Sequence, residues 1–451
     1  MSTENSSKSN SGILYKIDDK PPIHISILLA FQHIMAAFGG IVAVPLIVGY
    51  ALKLPGADIA FLVSAAIFAA GIATFIQARG IGPVGARLPC VMGTDFTFVG
   101  PSIAVGSALG LPGIFGATIL GSFIEIFLSQ FIKPLRKFFP PIVTGTVVML
   151  IGLTLLPVAI DWSAGGYGAA DYGSIRNVSI AFSVMLVITL LNRYGKGLIS
   201  SASVIIGLVF GYIICFPLGM LDFSTITNAS WIAFPTPFKY GITFKFTAFV
   251  AFIIAYLVTT VETVGCLMAV GEASGKDLTS EDISKGILAD GVGSLIAGVF
   301  NAGPNTSFSQ NVGLIPLTRV ASKSVVAIAG ILLMVLGIFP KFGALVAIMP
   351  NPVLGGAGII MFGMVVSAGI KTIQRVELNN RNMLILAISL GIGIGVTVRP
   401  DFLSSMPAAV QSFFSSVISA GTVIALLLNV ILKEESSSNV DKNLNSKTIA
   451  E

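Results

Sequence analysis

Long apolar segments, separated by short polar connections, recur along the chain from Ile23 to Leu432. About 20 apolar residues suffice to cross a bilayer as a helix. We assign fourteen such segments, near residues 24–48, 58–77, 91–109, 112–131, 141–160, 178–192, 201–220, 246–270, 286–300, 306–317, 324–343, 354–370, 382–398 and 410–432. The pattern predicts an all-α polytopic membrane protein with no soluble domain between the spans.

The third and tenth segments differ from the others, because proline, glycine and hydroxyl residues interrupt them. Gly93 and Pro101 lie in the third segment, and Pro304 lies two residues before the tenth. We expect a short strand followed by a half-helix in each. Within a bilayer, irregular backbone is tolerated only where it is buried in protein or lines a polar cavity. These two segments are therefore the expected place of a binding site.

Two pairs of similar stretches indicate an internal duplication. Thr94–Thr97 is repeated as Thr306–Ser309 at an interval of 212 residues, and Pro141–Gly145 is repeated as Pro352–Gly356 at an interval of 211. Each repeat would hold seven spans. Because seven is odd, the second repeat enters the membrane from the opposite side, and the repeats are inverted. The two broken segments should then meet near the bilayer midplane.

Composition and charge fit this interpretation. The chain has 451 residues, of which 54% are hydrophobic and 10% charged, whereas roughly 25% are charged in a soluble domain. With the N-terminus inside, fourteen basic residues fall in cytoplasmic loops and six in external loops. This distribution predicts a multi-pass plasma membrane protein with both termini cytoplasmic. It also explains the net charge of +5 without nucleic-acid binding.

Four acidic residues lie inside predicted spans: Asp95, Glu125, Glu262 and Asp290. A carboxylate at mid-membrane costs several kcal/mol, so each is a functional candidate. Glu262 can exchange a proton with an N–H group of a ligand, the alternative being a structural hydrogen-bond anchor. Asp290, near the cytoplasmic end of its predicted span, is a proton-coupling group or a helix brace. Asp95 is a second carboxylate of the site or the partner of a local basic residue.

Few other residues are candidates for binding, metal coordination or catalysis. His33, in the first span, is a helix-packing partner, a support for the cavity, or both. The chain has two histidines and no metal-ligand cluster, so we expect no metal site. It also shows no nucleophile–base pair and no phosphate-binding loop. We therefore expect neither an enzyme nor a cofactor, and uphill transport would have to be coupled to an ion.

The stretch Gln310–Arg319 resembles the signature of the nucleobase–ascorbate transporter family, namely Gln/Glu/Pro, Asn, any residue, Gly, four free positions, Thr, then Arg/Lys/Gly. Further motifs strengthen the resemblance, which covers about residues 14–433. They are Gln32–His33, Gly93–Phe96, Glu262 and Ala289–Gly291. The similarity is to the xanthine and uric acid permease branch of the family.

The resemblance implies an architecture of fourteen spans in two inverted repeats, with short strands in segments 3 and 10. A substrate-carrying core domain would slide against a gate domain in an elevator-like cycle, and the gate would form a homodimer. The implied boundaries are an N-terminal tail 1–22, core parts 23–137 and 246–346, gate parts 138–245 and 347–433, and a disordered tail 434–451.

The resemblance also implies roles for individual residues. Glu262 and Gln310 would hold the base with their side chains, and the backbone at Phe96 and Ser309 would add hydrogen bonds. The Phe96 ring would stack on the base. Supporting or selectivity roles would fall to Asp290, His33, Asn311, Thr318 and Arg319. Asp95 departs from the family, which commonly has Ser there, so it could alter substrate preference or proton coupling.

These observations favour an importer of a purine nucleobase, xanthine or uric acid, with the proton as coupling ion. A uracil permease of the same family is an alternative, but its members typically carry Glu where this chain has Gln310. Another alternative is an anion transporter of similar inverted-repeat fold. Glu262 and Asp95 disfavour it, because both would repel an inorganic anion.

Overall fold

The computed structural model describes residues 13–131, 140–406, 414 and 416–432. The predicted tail 434–451 and residues 1–12 of the predicted N-terminal tail lie outside these residues. The first-half elements are α1 (Ile23–Ala51), α2 (Gly56–Arg79), β1 (Met92–Thr94), a 3-10 helix (Phe96–Phe98), α3 (Val99–Ser129), α4 (Pro141–Ser163), α5 (Ile175–Tyr194), α6 (Leu198–Ser201), α7 (Ser203–Cys215) and α8 (Ser224–Asn228). The second-half elements are α9 (Phe246–Ala273), α10 (Ser280–Val299), β2 (Asn305–Ser307), a 3-10 helix (Ser309–Gly313), α11 (Leu314–Thr318), α12 (Lys323–Gly337), α13 (Pro340–Ala347), α14 (Asn351–Ile373), α15 (Asn380–Val398), a 3-10 helix (Pro400–Leu403) and α16 (Val417–Ile431).

The helical membrane architecture is confirmed, and each predicted segment overlaps a helix or a strand with its half-helix. Within the described residues, eight helices are long and apolar enough to cross a membrane, or nine if the pair α12 and α13, bent by 82°, is one span. The count of fourteen spans stays a prediction. The predicted boundary between segments 3 and 4 lies inside α3, where Gly110 has a φ of 67°. Glycine adopts that conformation without strain, and Pro112 follows it.

The two broken segments pair with each other, which confirms the predicted strands. β1 and β2 are antiparallel, with Met92 opposite Ser307 and Thr94 opposite Asn305. Two further backbone hydrogen bonds extend the pairing at its ends, from Phe308 N to Val91 O (2.9 Å) and from Asp95 N to Pro304 O (3.0 Å). The polar backbone of each broken segment is thus largely satisfied by the other.

Helix side chains hold the outer edges of both strands in the same way. The Thr74 hydroxyl accepts from Met92 N at 2.9 Å and donates to Met92 O at 3.2 Å. The Ser294 hydroxyl accepts from Asn305 N at 3.0 Å and donates to Asn305 O at 3.1 Å. Met92 and Asn305 are therefore equivalent positions, so the repeat interval at the strands is 305 − 92 = 213 residues. The expected interval of 212 was wrong by one.

Inverted symmetry also relates α4 and α14, which pack closely along glycines. A Cβ on Gly145 would lie 2.6 Å from the Ile373 side chain, and one on Gly355 would lie 2.6 Å from the Cα of Ser163. Because 355 − 145 and 373 − 163 both equal 210, exchanging the repeats converts one contact into the other. The interval here is 210 residues and not the expected 211.

The helices pack in two groups. The first helix group consists of α1, α2, α3, α9, α10, α12 and α13, of which α1, α2, α9 and α10 contact the strand pair. In the second helix group, α4, α5, α7, α14, α15 and α16 pack on one another. Where the two groups meet, α1 contacts α6 and α7, and α9 contacts α4.

The glycine contact between α4 and α14 generates a test of the fold. Gly369→Val would place a side chain where its Cβ meets backbone atoms, Met149 N at 2.6 Å and Gly145 O at 2.7 Å. Since overpacking costs about 1–3 kcal/mol, we expect a lower melting temperature in detergent. Gly363→Val on the same helix is the control, because nothing lies within 4 Å of its Cβ. Equal melting temperatures for the two variants would contradict the packing.

Candidate functional site

The position of β1 depends on a proline in α1. Pro45 has no backbone N–H, so the carbonyl of Ile41 lacks its usual helical partner. The Thr94 hydroxyl lies 2.9 Å from Ile41 O and 3.1 Å from Gly40 O, and it can donate to either. The strand is thereby attached to α1 beside Gly40, which has no side chain.

Asp290, on α10, accepts hydrogen bonds from side chains of three other elements, α2, α9 and β2. Its Oδ1 accepts from the Gln77 amide at 3.3 Å and from the Ser307 hydroxyl at 3.1 Å, and its Oδ2 accepts from the Thr263 hydroxyl. The residue is fully buried. Helix α10 begins at Ser280, at a capping box formed by Thr279 and Asp282. Asp290 therefore lies in the middle of its helix, because the helix begins six residues before the predicted span.

His33 and Asn311 are both buried and contact each other. The Asn311 amide donates to His33 O at 2.9 Å and lies 3.3 Å from His33 Nδ1. This contact attaches the second half-helix to α1. His33 is therefore a packing partner, in agreement with one of the alternatives drawn from the sequence.

Asp95 caps the first 3-10 helix, where its Oδ1 accepts from Thr97 N at 2.7 Å. Its Oδ2 is buried with no hydrogen-bond partner among the described residues. Within the described chain Asp95 forms no ion pair and lines neither cavity described below, so its role at the site stays a prediction. Glu125 is also fully buried, and its two carboxyl oxygens have no partner in the same part of the chain.

Two adjoining cavities lie where the two helix groups meet. The Glu262 cavity has a volume of about 380 Å³ and lies between α9, the second half-helix, α4 and α14. The Gln310 cavity has a volume of about 290 Å³ and lies between α1, α7, α14 and the two half-helices. The first half-helix is the 3-10 helix Phe96–Phe98 with the start of α3, and the second is the 3-10 helix Ser309–Gly313 with α11. They share three lining residues, Ser309, Ala368 and Lys371. Each volume lies near the lower end of the range for small-molecule sites, roughly 300–1,000 Å³.

Glu262 lines the first cavity with an unsatisfied carboxylate. Its Oε2 is buried and has no hydrogen-bond partner among the described residues. Leaving a buried acceptor without a donor costs about 1–3 kcal/mol, and more when it is charged. A ligand that presents an N–H group to Glu262 would remove this cost.

Gln310, Phe96 and Ser309 line the second cavity together. A Cβ on Gly40 would lie 3.0 Å from the Gln310 amide nitrogen and 2.9 Å from the Phe308 ring, so the glycine makes room for both. The Phe96 ring packs edge-to-face on Phe362 of α14, with centroids 5.5 Å apart. The four residues expected to bind the base are therefore brought to one pair of cavities.

Thr318 and Arg319 lie outside both cavities. The Thr318 hydroxyl donates to Leu314 O at 2.8 Å, and Arg319 ends α11 with a φ of 58°. The carbonyl of Arg319 accepts from Leu14 N at 2.7 Å, which holds the N-terminal segment against this turn. Nearby, the Lys323 ammonium bonded to Asp18 holds the pKa of that carboxyl below its usual value. These residues position chain segments rather than line the site.

Lys371 is a cavity residue that the sequence did not reveal. The predicted span ended at residue 370 and placed Lys371 in a cytoplasmic loop, but α14 continues to Ile373. The side chain lines both cavities. The excess of basic residues in cytoplasmic loops already explains a lysine at a predicted cytoplasmic helix end. No sequence signal therefore distinguished Lys371 from the basic residues of those loops. Among the described residues, no group of three His, Cys, Asp or Glu side chains could hold a metal.

Comparison with known sequences supports the resemblance. A sequence profile described as the Permease family matches residues 24–402. A Clostridium perfringens protein with the provisional name of purine permease is 54% identical, covering 98% of each chain. The uric acid transporter UacT of Escherichia coli is 42% identical, over 94% of this chain and 90% of its own. The xanthine permease of Bacillus subtilis is 41% identical, over 89% of this chain and 92% of its own.

Among solved structures, the transmembrane domain of the cyanobacterial bicarbonate transporter BicA has a similar fold. The TM-score is 0.58 at 13% identity, over 92% of this chain and 99% of that chain. Such low identity shows the fold alone. The profile match and the sequence relatives show the family, and they confirm the resemblance read from Gln310–Arg319. The chain is a permease and not an enzyme, and it belongs to the nucleobase–ascorbate transporter family, in the branch of the xanthine and uric acid permeases.

Proposed function

We propose that the protein is a secondary active transporter that imports a purine nucleobase, xanthine or uric acid, by proton symport across the plasma membrane. The observation that carries this proposal is the pair of adjoining cavities lined by Glu262 and Gln310, with Ser309 common to both. The relatives named for purine, uric acid and xanthine transport support it. The excess of basic residues in the predicted cytoplasmic loops supports cytoplasmic termini.

The chemistry of the cavities suits a planar base. A carboxylate accepts hydrogen bonds, and a glutamine amide both donates and accepts in one plane. A purine with oxo groups presents N–H and C=O groups on its edges. In our proposal Glu262 binds N–H groups, Gln310 binds an adjacent donor and acceptor, the backbone of Phe96 and Ser309 binds further edge atoms, and the Phe96 ring stacks on the base. A base with the wrong edge would leave buried groups unpaired, which gives strong discrimination.

The proposed transport cycle is elevator-like. The first helix group corresponds to the implied core, residues 23–137 and 246–346, and the second to the implied gate, residues 138–245 and 347–433. Both cavities are walled by the two groups together. Sliding the core along the gate would carry the base between the two sides of the membrane. The gate would also form the homodimer, a proposal that rests on the family resemblance.

Proton coupling rests on the buried acids. Glu262 faces a cavity and lacks an internal partner for Oε2, so it is our candidate for the group that exchanges a proton during transport. Asp290 and His33 support the site through the contacts described above. Asn311, Thr318 and Arg319 would influence affinity indirectly, because they position the second half-helix. Asp95 would act through the first half-helix, which it caps.

The alternatives have less support. A uracil permease is disfavoured by the amide of Gln310, and an inorganic-anion transporter by the carboxylate of Glu262. The likeness to a bicarbonate transporter concerns the fold alone, at 13% identity. Competition of radiolabelled xanthine uptake by uric acid, uracil, guanine and sulfate tests these possibilities together.

We expect Glu262→Gln to abolish purine binding while the protein still inserts and folds. Losing the charged partner of a buried ligand costs about 2–5 kcal/mol, or roughly 30-fold to several-thousand-fold in affinity. The measurement is binding of radiolabelled xanthine and uric acid to purified protein. Glu377→Gln, in an exposed turn outside both cavities, is the matched control and should bind normally. Near-normal affinity in Glu262→Gln would place the site elsewhere.

Uptake should be driven by an inward proton gradient and not by sodium. The buried acids can titrate, and the sequence contains no recognisable sodium-site pattern. The measurement is accumulation in proteoliposomes with imposed gradients. We expect a protonophore to stop accumulation and replacement of sodium to leave it unchanged. The reverse pair of results would overturn proton symport.

Gln310→Glu should change base selectivity. The variant keeps the shape of the side chain, removes its donor, and adds a negative charge beside the Glu262 cavity. We expect a loss of xanthine or uric acid affinity of roughly ten- to a hundred-fold, as for one unpaired buried contact of about 1–3 kcal/mol. Any gain should favour uracil, because the uracil permeases of the family typically carry Glu at this position. Unchanged selectivity in a competition assay would remove Gln310 from the site, and equal losses for all bases would indicate a folding defect.

A further inference from the structure

We propose that Lys371 forms an anion subsite where the two cavities meet, and that this subsite favours purines carrying a negatively charged oxygen over neutral purines. The proposal rests on the proposed function and narrows its substrate class to oxidised, acidic purines. No role for Lys371 follows from the signature motifs, none of which includes it.

The geometry places one cation opposite the residues expected to bind the base. Lys371 lies in the last turn of α14, in the second helix group, and lines both cavities. Glu262 lines one of these cavities from α9 of the first helix group, and Gln310 lines the other from the 3-10 helix that follows β2. Ser309 and Lys371 both line the two cavities, so a ligand beside Ser309 lies in a space that Lys371 also lines.

Lys371 is exposed, and no described residue neutralises its charge. Within the described chain its ammonium forms no hydrogen bond and no ion pair. Arg375, one turn further along, behaves differently: it pairs with Glu272 of α9 at 3.3 Å, and both residues line the Glu262 cavity. Of the two cations on this wall, Lys371 is therefore the one free to bind a ligand.

When Glu262 is ionised, its carboxylate disfavours an anionic ligand in the same cavity, because like charges repel strongly where water is largely excluded. An acidic purine that has lost a proton would meet this repulsion unless a positive charge faced the same space. A lysine ammonium provides three donors on a flexible stem and can follow an oxygen in several positions. Glu262 would bind the N–H edge, and Lys371 the charged oxygen.

A purely structural role for Lys371 is the competing explanation. A cation in the last turn of a helix interacts favourably with the helix dipole, and a lysine can extend its stem so that the ammonium reaches the aqueous surface. That role predicts equal effects on charged and neutral ligands, whereas the anion subsite predicts unequal effects. Ligand charge is therefore the variable to test.

The experiment compares Lys371→Met and Lys371→Arg with the wild-type protein and with Lys196→Met, an exposed residue between α5 and α6. Binding to purified protein is measured for uric acid, an anion at neutral pH, and for hypoxanthine, which is neutral there. We expect Lys371→Met to weaken uric acid binding about tenfold more than hypoxanthine binding, a typical effect of losing a charged contact. Lys371→Arg should restore most of the preference, and Lys196→Met should match wild type.

A second measurement uses the ionisation of one ligand and does not depend on hypoxanthine binding. Xanthine loses a proton near neutral pH. Its affinity is therefore measured at a pH below this ionisation and at a pH above it. The ratio of affinities in alkaline and acidic buffer should fall in Lys371→Met relative to wild type. Equal losses for all ligands with an unchanged ratio would overturn the anion subsite and leave the proposed function intact. A wild-type protein that binds no purine would overturn the proposed function instead.

Discussion

The need to satisfy polar backbone within an apolar environment determines the centre of this molecule. Two strands of three residues each lie where water cannot hydrogen-bond them, and open strand edges are not tolerated there. Each strand pairs with the other on one edge, and a hydroxyl from Thr74 or Ser294 holds the opposite edge. Because one strand comes from each repeat, neither repeat can satisfy its broken segment alone. The inverted repeats are therefore coupled at the site itself.

Hydrogen bonding and cavity lining together distinguish Asp290 from Glu262. Asp290 accepts hydrogen bonds from Gln77, Thr263 and Ser307, so its carboxylate is already satisfied by protein. Glu262 lines a cavity and has a buried oxygen without an internal partner. A satisfied buried carboxylate stabilises the structure around it, whereas an unsatisfied one is stabilised by a ligand or a proton. Both residues looked alike in the sequence, as acids within apolar spans.

The sequence predicts the features that depend on local pattern. Apolar segments, the breaks at Gly93 and Pro304, and the signature beginning at Gln310 were sufficient for the fold class and the family. The repeat interval at the strands was wrong by one, because matching residue types aligned Thr94 with Thr306, whereas the hydrogen-bond ladder makes Thr94 equivalent to Ser307. The location of Lys371 could not be predicted, because it depends on how far α14 extends and on which helix faces it. Tertiary packing decides both.

The distribution of charge between the two helix groups bears on how they could move. In the Glu262 cavity, Glu262 and Glu272 lie on the first group, and Lys371 and Arg375 lie on the second. The ion pair between Glu272 and Arg375 crosses this boundary, but the side chains are 74% and 36% exposed. Exposed pairs contribute about 0–1 kcal/mol, so this bridge orients the two groups without locking them. The opposite signs across the boundary attract a ligand that carries donors on one edge and a charged oxygen on the other. A ligand of that kind would contribute more to holding the groups together than the bridge does, because it would be enclosed between them.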